Sequence, residues 1–209
     1  MPFRLRRFIR QKLLRMKISG ANKVGDGVIL SKDLKIGKGC IIGKNTHYGQ
    51  GVRLGEKVKI GNDVMIEKAE IGDFSFIESR VLLTGDGKGR ISIGKNCYIG
   101  VYNVLDNSND ITIGDFVHIA GPSTGLWTHS SAPMCMKGVP LDKKDETVRP
   151  TAPITIENNV YIGGNCTIYP GITIGHHSIV APNSAVTRNV SPFSYVGGVP
   201  ARVIRELKN

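Results

Sequence analysis

The stretch ITIENNVYIGGNCTIYPGITIGHHSIVAPNSAV, residues 154–186, places an aliphatic residue at every sixth position. In this stretch the repeating positions are Ile156, Ile162, Ile168, Ile174, Val180 and Val186. The same spacing recurs upstream at Ile36, Ile42, Leu54, Ile60, Ile66, Ile93, Ile99, Leu105, Ile113 and Ile119. A fixed short period indicates a solenoid, in which each repeat buries its apolar side only against its neighbours. We therefore predict an all-β solenoid whose coils hold three short strands in roughly eighteen residues.

The position four residues after many of the repeating aliphatic residues carries a small side chain. Cys40, Cys97 and Cys166 occupy this position. In a narrow coil it points inward, where a cysteine behaves as a small hydrophobic residue. We therefore expect no disulfides, and we expect Cys135 to be the thiol that stands outside the coils.

The six-residue period is interrupted twice, which defines the predicted organisation of the chain. Residues 80–90 are predicted to form a small excursion, and residues 121–153 a long polar loop. We assign residues 20–191 to the solenoid. Residues 192–209 are predicted to form a loop and a short helix that covers the last coil.

The formal net charge of +11 is concentrated near the N-terminus. Residues 1–19 are predicted to form a basic amphipathic helix. Two interpretations stay open: residues 1–17 bind an anionic membrane surface, or the helix caps the first coil. Nucleic-acid binding is not predicted, because the excess charge is confined to one short segment.

The chain contains no run of about 18 apolar residues, so no membrane-spanning helix is predicted. Its N-terminus lacks the apolar core and the small-residue cleavage site of a signal peptide. We expect a cytoplasmic protein, with peripheral contact at the inner face of the membrane if the first interpretation of residues 1–17 holds.

The aliphatic-Gly repeat and the closing segment GGVPARVIR, residues 197–205, resemble the hexapeptide-repeat acyltransferases. Within that family, the chain is most similar to maltose and galactoside O-acetyltransferases and to O-acetyltransferases of surface-polysaccharide synthesis. The resemblance implies a left-handed parallel β-helix, a homotrimer, and acetyl-CoA bound between neighbouring subunits. Handedness rests on the resemblance alone, because the general rule for parallel crossovers favours the right hand.

The resemblance implies that His129, in LWTHSSAP, is the catalytic base. Acetyl transfer to an alcohol needs a base for the attacking hydroxyl, and histidine ordinarily titrates near working pH. Transfer is expected to be direct, within a ternary complex. A carboxylate or a backbone carbonyl must orient the ring; Asp106, Asp142, Asp145 and Glu146 are the candidate carboxylates.

Four residues near this loop are the candidates for acceptor binding: Trp127, Tyr102, Asn103 and Asp106. Trp127 either offers a face to a sugar ring or anchors the loop, and both readings stay open. Gly100 stands where the maltose and galactoside enzymes carry an acceptor-binding Asn. This difference disfavours small free sugars as acceptors.

The resemblance also assigns the CoA site to the late coils. The matching residues are Gly163, Gly164, Pro182, Thr187, Arg188, Arg202 and Arg205. Arginine forms bidentate, charge-assisted bonds with phosphate, which suits the nucleotide end of CoA; a merely solvated basic segment is the alternative. No metal is expected, because no CxxC or HxxxH spacing occurs.

These features together predict an acetyl-CoA-dependent O-acetyltransferase acting on a saccharide in surface-glycan synthesis. Residues 1–17 suggest that the acceptor is lipid-linked. Three alternatives stay open: an amino-sugar N-acetyltransferase, a drug-modifying acetyltransferase, and a non-catalytic β-helix subunit.

Overall fold

The computed structural model of the chain describes residues 22–85 and 87–208. In this part of the chain the strands form three β-sheets, and successive strands of each coil pass from one sheet to the next. Sheet A contains β1 Lys23–Val24, β3 Ile41–Ile42, β6 Lys59–Ile60, β9 Phe76–Ile77, β12 Tyr98–Ile99, β15 His118–Ile119, β18 Tyr161–Ile162, β21 Ile179–Val180, β23 Ser194–Gly197 and β24 Arg202–Glu206. Sheet B contains β4 His47–Tyr48, β7 Met65–Ile66, β10 Leu82–Leu83, β13 Val104–Leu105, β16 Gly125–Leu126, β19 Thr167–Ile168 and β22 Ala185–Val186. Sheet C contains β2 Lys35–Ile36, β5 Arg53–Leu54, β8 Ala69–Ile71, β11 Ile91–Ile93, β14 Ile111–Ile113, β17 Ile154–Ile156 and β20 Thr173–Ile174.

Inward side chains of the short strands fill the core of the solenoid: the second residue in two-residue strands such as β12, and the first and third residues in three-residue strands such as β11. Ile99 pairs in parallel with Ile77 on one side and Ile119 on the other, and all three side chains are fully buried. Every coil thus adds one aliphatic layer on each sheet, which is why the coils are stable only as a stack. The predicted all-β solenoid is confirmed. The inward position of Cys40, Cys97 and Cys166 is confirmed as well, since all three are buried and free.

Asparagine and aspartate occupy many of the corners between sheets. Asn165 and Asn183 adopt φ of 57° and 59°, the left-handed region that Asn tolerates better than most residues. The Asn165 Nδ2 donates to Asn183 Oδ1 at 2.8 Å, one coil further on. Corner residues therefore bond the coils to one another outside the sheets.

Both predicted excursions are shorter than expected. Leu82–Leu83 forms strand β10, which pairs with β7 and β13, so the first excursion begins after Leu83. Gly125–Leu126 forms strand β16, which pairs with β13 and β19, so the long insertion begins after Leu126. Both strands keep an inward leucine, but neither leucine is followed by the Gly that marks other corners.

The long insertion contains a short helix, α1 Ala132–Met136, and a 3-10 helix, Leu141–Lys143. Its two ends run side by side: the Ser130 amide donates to the Pro150 carbonyl at 3.1 Å, and the Ala152 amide to the Thr128 carbonyl at 2.9 Å. Met134 is buried and holds the helix down.

The predicted C-terminal helix over residues 201–208 is wrong. Arg202–Glu206 forms β24, which runs antiparallel to β23. Strand β23 would otherwise leave its outer backbone groups unpaired at the end of sheet A, and a returning strand satisfies them where a helix cannot. The predicted helix over residues 1–19, with its two interpretations, lies outside the described residues.

Within residues 22–85 and 87–208, no helix has the length and apolar character needed to cross a membrane.

Candidate active site

The site forms where the long insertion leaves sheet B. Because Leu105 of β13 pairs with Leu126 of β16, the residues that follow these two strands lie side by side. This register brings Asp106 next to the start of the insertion. The Nδ1 of His129 lies 2.7 Å from Oδ2 of Asp106.

Asp106 is almost completely buried, at 3% exposure, and its carboxylate is surrounded by donors. Ser108 Oγ donates to Oδ1 at 2.9 Å, and the Thr128 amide donates to Oδ2 at 3.1 Å. The Thr128 hydroxyl lies 2.9 Å from the same Oδ2. Burial by itself raises the pKa of Asp106, but the hydrogen bonds from His129, Ser108 and Thr128 outweigh it and hold that pKa below its usual value.

An ionised Asp106 fixes the proton arrangement of His129. The carboxylate can only accept, so His129 Nδ1 carries the hydrogen of the 2.7 Å bond. In the neutral ring, Nε2 then has a free lone pair. The His129 side chain is 22% exposed, so this nitrogen belongs to a partly open ring that can accept a proton from a bound hydroxyl.

The other three candidates for orienting His129 lie elsewhere on the insertion and are exposed. Asp142 lies beside Lys143, and Asp145 accepts from the Thr147 amide. Glu146 pairs with Lys88 at 3.3 Å. Among the four carboxylates, Asp106 is thus the one that holds the imidazole.

Three residues of the site were not singled out by the sequence: Ser108, Thr128 and Arg149. Ser108 and Thr128 both bond Asp106, as described above. Arg149 reaches the site from the far end of the insertion, where its Nη2 donates to Ser108 Oγ at 3.2 Å. Asp106, placed among acceptor-binding candidates by the sequence, instead supports the histidine.

The remaining acceptor candidates occupy three different environments. Trp127 is 39% exposed and its indole covers Gly125, so both readings of this residue remain compatible with its position. Tyr102 is 48% exposed. The Arg80 guanidinium carbon lies over the Tyr102 ring, 5.4 Å from the ring centre.

Asn103 is fully buried and its amide is engaged by the backbone. Its Nδ2 donates to the carbonyls of Ile119 and Ala120, and its Oδ1 accepts from the Thr124 amide at 2.9 Å. Contact with an acceptor does not fit this burial. Asn103 ties consecutive coils together instead.

Gly100 has a packing reason for lacking a side chain. A Cβ at this residue would stand 2.2 Å from the Gly121 backbone nitrogen and 2.8 Å from the Ala120 carbonyl carbon. The Asn that the resemblance leads one to expect at this position cannot enter without moving the next coil.

Substitution Gly100→Ala is therefore expected to lower the free energy of unfolding by about 1–3 kcal/mol, because the added methyl group pushes two coils apart. Urea denaturation measures the change. Ser92→Ala, at a half-exposed position on β11, is the matched control and should change stability by less than about 0.5 kcal/mol. Equal stability of the two variants would contradict the packing account.

The structure separates the predicted CoA residues into two groups. Gly163 and Pro182 lie in contact at one corner, where a Cβ on Gly163 would stand 2.5 Å from the Pro182 nitrogen; Gly164 packs against the Gly121 carbonyl of the preceding coil. This corner precedes sheet B, whereas His129 lies on the insertion that follows sheet B.

The second group lies at the C-terminal end of the solenoid. Thr187 and Arg188 are exposed after β22, and Arg202 and Arg205 are exposed on β24. The Arg205 guanidinium lies 5.7 Å from the Tyr195 ring centre.

No three His, Cys, Asp or Glu side chains converge on a possible metal position anywhere in the part of the chain that the structure describes.

Comparison with known proteins gives consistent matches. Residues 153–188 match the family described as bacterial transferase hexapeptide (six repeats), and residues 33–68 match the hexapeptide repeat of succinyl-transferase. Galactoside O-acetyltransferase of Escherichia coli K12 is 34% identical over 145 residues, which are 68% of this chain and 65% of that enzyme. Chloramphenicol acetyltransferase of Agrobacterium fabrum is 31% identical over 129 residues, 61% of this chain and 57% of that enzyme. The chain thus spans less than two thirds of either relative.

Among solved structures, AntD, an N-acyltransferase from Bacillus cereus in complex with dTDP and 3-hydroxybutyryl-CoA, superimposes with a TM-score of 0.60. The match covers 95% of this chain and 88% of that one at 23% identity, and it shows a shared fold. The fold expected from the resemblance, a left-handed parallel β-helix, is confirmed. With its six-residue repeat on three parallel sheets and with two repeat models matched at separate places, the chain is a hexapeptide-repeat protein similar to the acyltransferases of that family.

Proposed function

We propose that this protein is an acetyl-CoA-dependent O-acetyltransferase that acts on a saccharide hydroxyl. The observation that carries the proposal is the 2.7 Å contact between His129 Nδ1 and a buried, ionised Asp106. A histidine held in this way has the tautomer that a general base requires. The galactoside O-acetyltransferase relative supports acetyl transfer to a sugar hydroxyl.

In the proposed reaction, His129 Nε2 takes the proton of the acceptor hydroxyl while its oxygen attacks the thioester carbonyl. The C–S bond then breaks, and the imidazolium returns the proton to the departing thiolate. Asp106 stabilises the imidazolium, because its carboxylate lies 2.7 Å from Nδ1. A single imidazole thus serves as base and acid.

We propose a homotrimer as the active form. In one chain, Gly163 and Gly164 lie at the corner before sheet B, while His129 lies on the insertion after it. A groove between neighbouring subunits joins these two regions, so that acetyl-CoA held along the first meets the imidazole of the second. This arrangement agrees with the family expectation.

Surface-glycan synthesis, a cytoplasmic location and a lipid-linked acceptor are further parts of the proposal. They rest on the resemblance and on the cationic residues 1–17, which lie outside the described part of the chain.

The proposal is tested by measuring free thiol released from acetyl-CoA in the presence of candidate acceptors. Neutral saccharides, their amino-sugar counterparts and chloramphenicol are compared at equal concentration. We expect thiol release with hydroxyl acceptors, accompanied by an ester that mild alkali cleaves. Release with amino sugars alone, giving an alkali-stable amide, would replace the proposal with an N-acetyltransferase. Absence of both CoA binding and thiol release would favour a non-catalytic β-helix subunit.

The proposed nucleotide contacts of Arg188, Arg202 and Arg205 predict a specific binding defect. Changing Arg188 to Gln is expected to weaken CoA binding by about tenfold, the loss of one charge-assisted phosphate contact. Isothermal titration calorimetry with CoA and with 3′-dephospho-CoA measures it for each arginine in turn. An arginine that contacts the ribose phosphate should affect CoA much more than the dephosphorylated compound. Unchanged affinities in all three variants would remove these residues from the site.

A further inference from the structure

Trp127 and His129 flank Thr128 at the start of the insertion and lie on the same side of it. Thr128 is fully buried, whereas Trp127 is 39% exposed and the His129 side chain is 22% exposed. The Trp127 amide continues the ladder between β16 and β19 by donating to the Ile168 carbonyl at 3.0 Å, so the segment is extended. Because side chains alternate along an extended segment, both neighbours of Thr128 point outward, about 6.5 Å apart along the backbone. A small molecule held on the indole therefore lies beside the imidazole.

Gly125 leaves the space in which the indole lies. In sheet B it pairs with Val104 on one side and with Thr167 on the other, and both of these carry side chains. A Cβ on Gly125 would stand 2.4 Å from Trp127 Nε1 and 2.8 Å from Cε2, so any larger residue would displace the indole. One surface of the indole is thus packed on the sheet, while the rest stays exposed.

The insertion is anchored without Trp127. The Thr128 hydroxyl donates to the Asp106 carbonyl at 2.6 Å and accepts from the Asn109 amide at 2.9 Å. A Trp that anchors a loop buries its ring and usually pairs its indole N–H. Within residues 22–85 and 87–208, by contrast, the Trp127 Nε1–H has no hydrogen-bond acceptor. An open ring surface with an unused donor at its edge suits a ligand that is apolar on one face and hydroxylated at its rim.

A pyranose ring has this character, because its C–H groups form an apolar face and its hydroxyl groups surround it. We propose that Trp127, placed by Gly125, makes the site selective for saccharide rings. The C–H face stacks on the indole, one hydroxyl accepts from Nε1–H, and a neighbouring hydroxyl reaches His129 Nε2. An acyclic polyol has no rigid apolar face and gains little from the indole. The inference rests on the proposed function only for the acetyl transfer that follows binding.

The test uses Trp127 as its own probe, because it is the only tryptophan of the chain. Methyl β-glucopyranoside and methyl β-galactopyranoside are titrated in the absence of acetyl-CoA, and sorbitol serves as the acyclic control. At least one pyranoside is expected to change the tryptophan emission saturably, whereas sorbitol at the same concentrations leaves it unchanged. In 15N-labelled protein, the single indole N–H signal should move with the same apparent affinity.

Three outcomes of these titrations would overturn the inference. Emission that neither pyranoside changes would show that the indole does not contact saccharides. An indole already shielded from acrylamide in the free protein would show that a neighbouring subunit covers it. An indole N–H signal that moves with chloramphenicol and with neither pyranoside would assign the ring to aromatic acceptors.

Three substitutions separate binding by the ring from support of the insertion. Trp127→Ala is expected to raise KM for the saccharide acceptor about tenfold, with kcat within about threefold and KM for acetyl-CoA unchanged. Trp127→Phe keeps a flat ring and should raise that KM by about threefold at most. Gly125→Ala keeps the indole but displaces it, so the fluorescence titration should show a saccharide affinity lowered by about tenfold. A raised KM for acetyl-CoA, or a fall in kcat alone, would mean that Trp127 only supports the insertion and would overturn the inference.

Phe74→Ala is the matched control for the loss of an exposed aromatic ring. Phe74 is 54% exposed at the corner between β8 of sheet C and β9 of sheet A, whereas the insertion leaves sheet B. Its replacement should leave the saccharide affinity and both KM values unchanged. Thermal unfolding of each variant shows whether the coils remain folded.

Failure of the inference and failure of the proposed function give different results. Saturable binding of a pyranoside without any thiol release from acetyl-CoA would refute the proposed function and leave the role of Trp127 standing. Thiol release with a saccharide acceptor that never changes the indole signal would refute the inference alone.

Discussion

Replacement of His129 by Ala is expected to lower the rate of thiol release from acetyl-CoA by about 10²- to 10⁴-fold, the usual contribution of a general base. The reason is that, among the groups described at the site, only His129 is both partly exposed and hydrogen-bonded to a buried carboxylate. CoA binding should stay within about threefold of the wild type, since His129 is proposed to act on the reacting groups and not to hold the nucleotide.

His47→Ala is the matched control for this experiment. His47 begins strand β4 of sheet B, the sheet from which the insertion leaves. It belongs to an early coil, however, and is remote from the insertion. Its replacement is expected to leave thiol release unchanged. If His129→Ala retained wild-type turnover, the assignment of the base would be wrong.

The variant Asp106→Asn is expected to lower kcat by about 10²- to 10⁴-fold while leaving the shape of the site intact. An amide in this place can donate to His129 Nδ1, which favours the tautomer that lacks a lone pair on Nε2. Steady-state kinetics should show that the lower activity comes from a decrease in kcat and not from a change in KM. A variant with normal kcat would show that the carboxylate has no part in orienting the ring.

The effect of Asp106→Asn on the free energy of unfolding is also expected to depend on pH. The pKa of Asp106 is lower in the folded chain than its usual value, so ionised Asp106 stabilises the fold. This contribution to the free energy of unfolding is fully present at pH values above the usual pKa. It is lost as the pH falls through the pKa of the folded chain. The variant should therefore be less stable than the wild type by about 1–3 kcal/mol at neutral pH. The difference should shrink below about pH 3.8, the usual value. Urea unfolding at pH 7 and pH 3 measures both.

The solenoid could be predicted because its core follows one simple rule. Each coil must place an aliphatic residue inward on each sheet. Residues such as Ile99 and Ile162 meet this requirement, so aliphatic residues recur in the sequence at a fixed spacing. Small inward residues such as Cys97 follow from the limited space beside them. Local spacing and global packing agree here, so the sequence pattern is readable.

The chain end and the excursions could not be predicted in the same way. Arg202–Glu206 forms a strand because β23 presents an open sheet edge, a tertiary demand that is absent from the local sequence. Strands β10 and β16 keep their inward leucines but lack the following Gly, so their positions resembled loop sequence.

The candidate site was predicted in part. Sequence context singled out His129, but it left four carboxylates as candidates to orient the ring. The choice depends on strand register, since the pairing of Leu105 with Leu126 carries Asp106 to the base of the insertion. Arg149 could not have been found from spacing, because the insertion must first fold back on itself.

A crystal structure of the protein with bound CoA tests the central claim most directly. The account predicts the CoA sulfur within about 4 Å of His129 Nε2, with the imidazole still bonded to Asp106 and the pantetheine arm along Gly163 and Gly164. CoA bound elsewhere, with its sulfur remote from the His129 ring, would contradict the account.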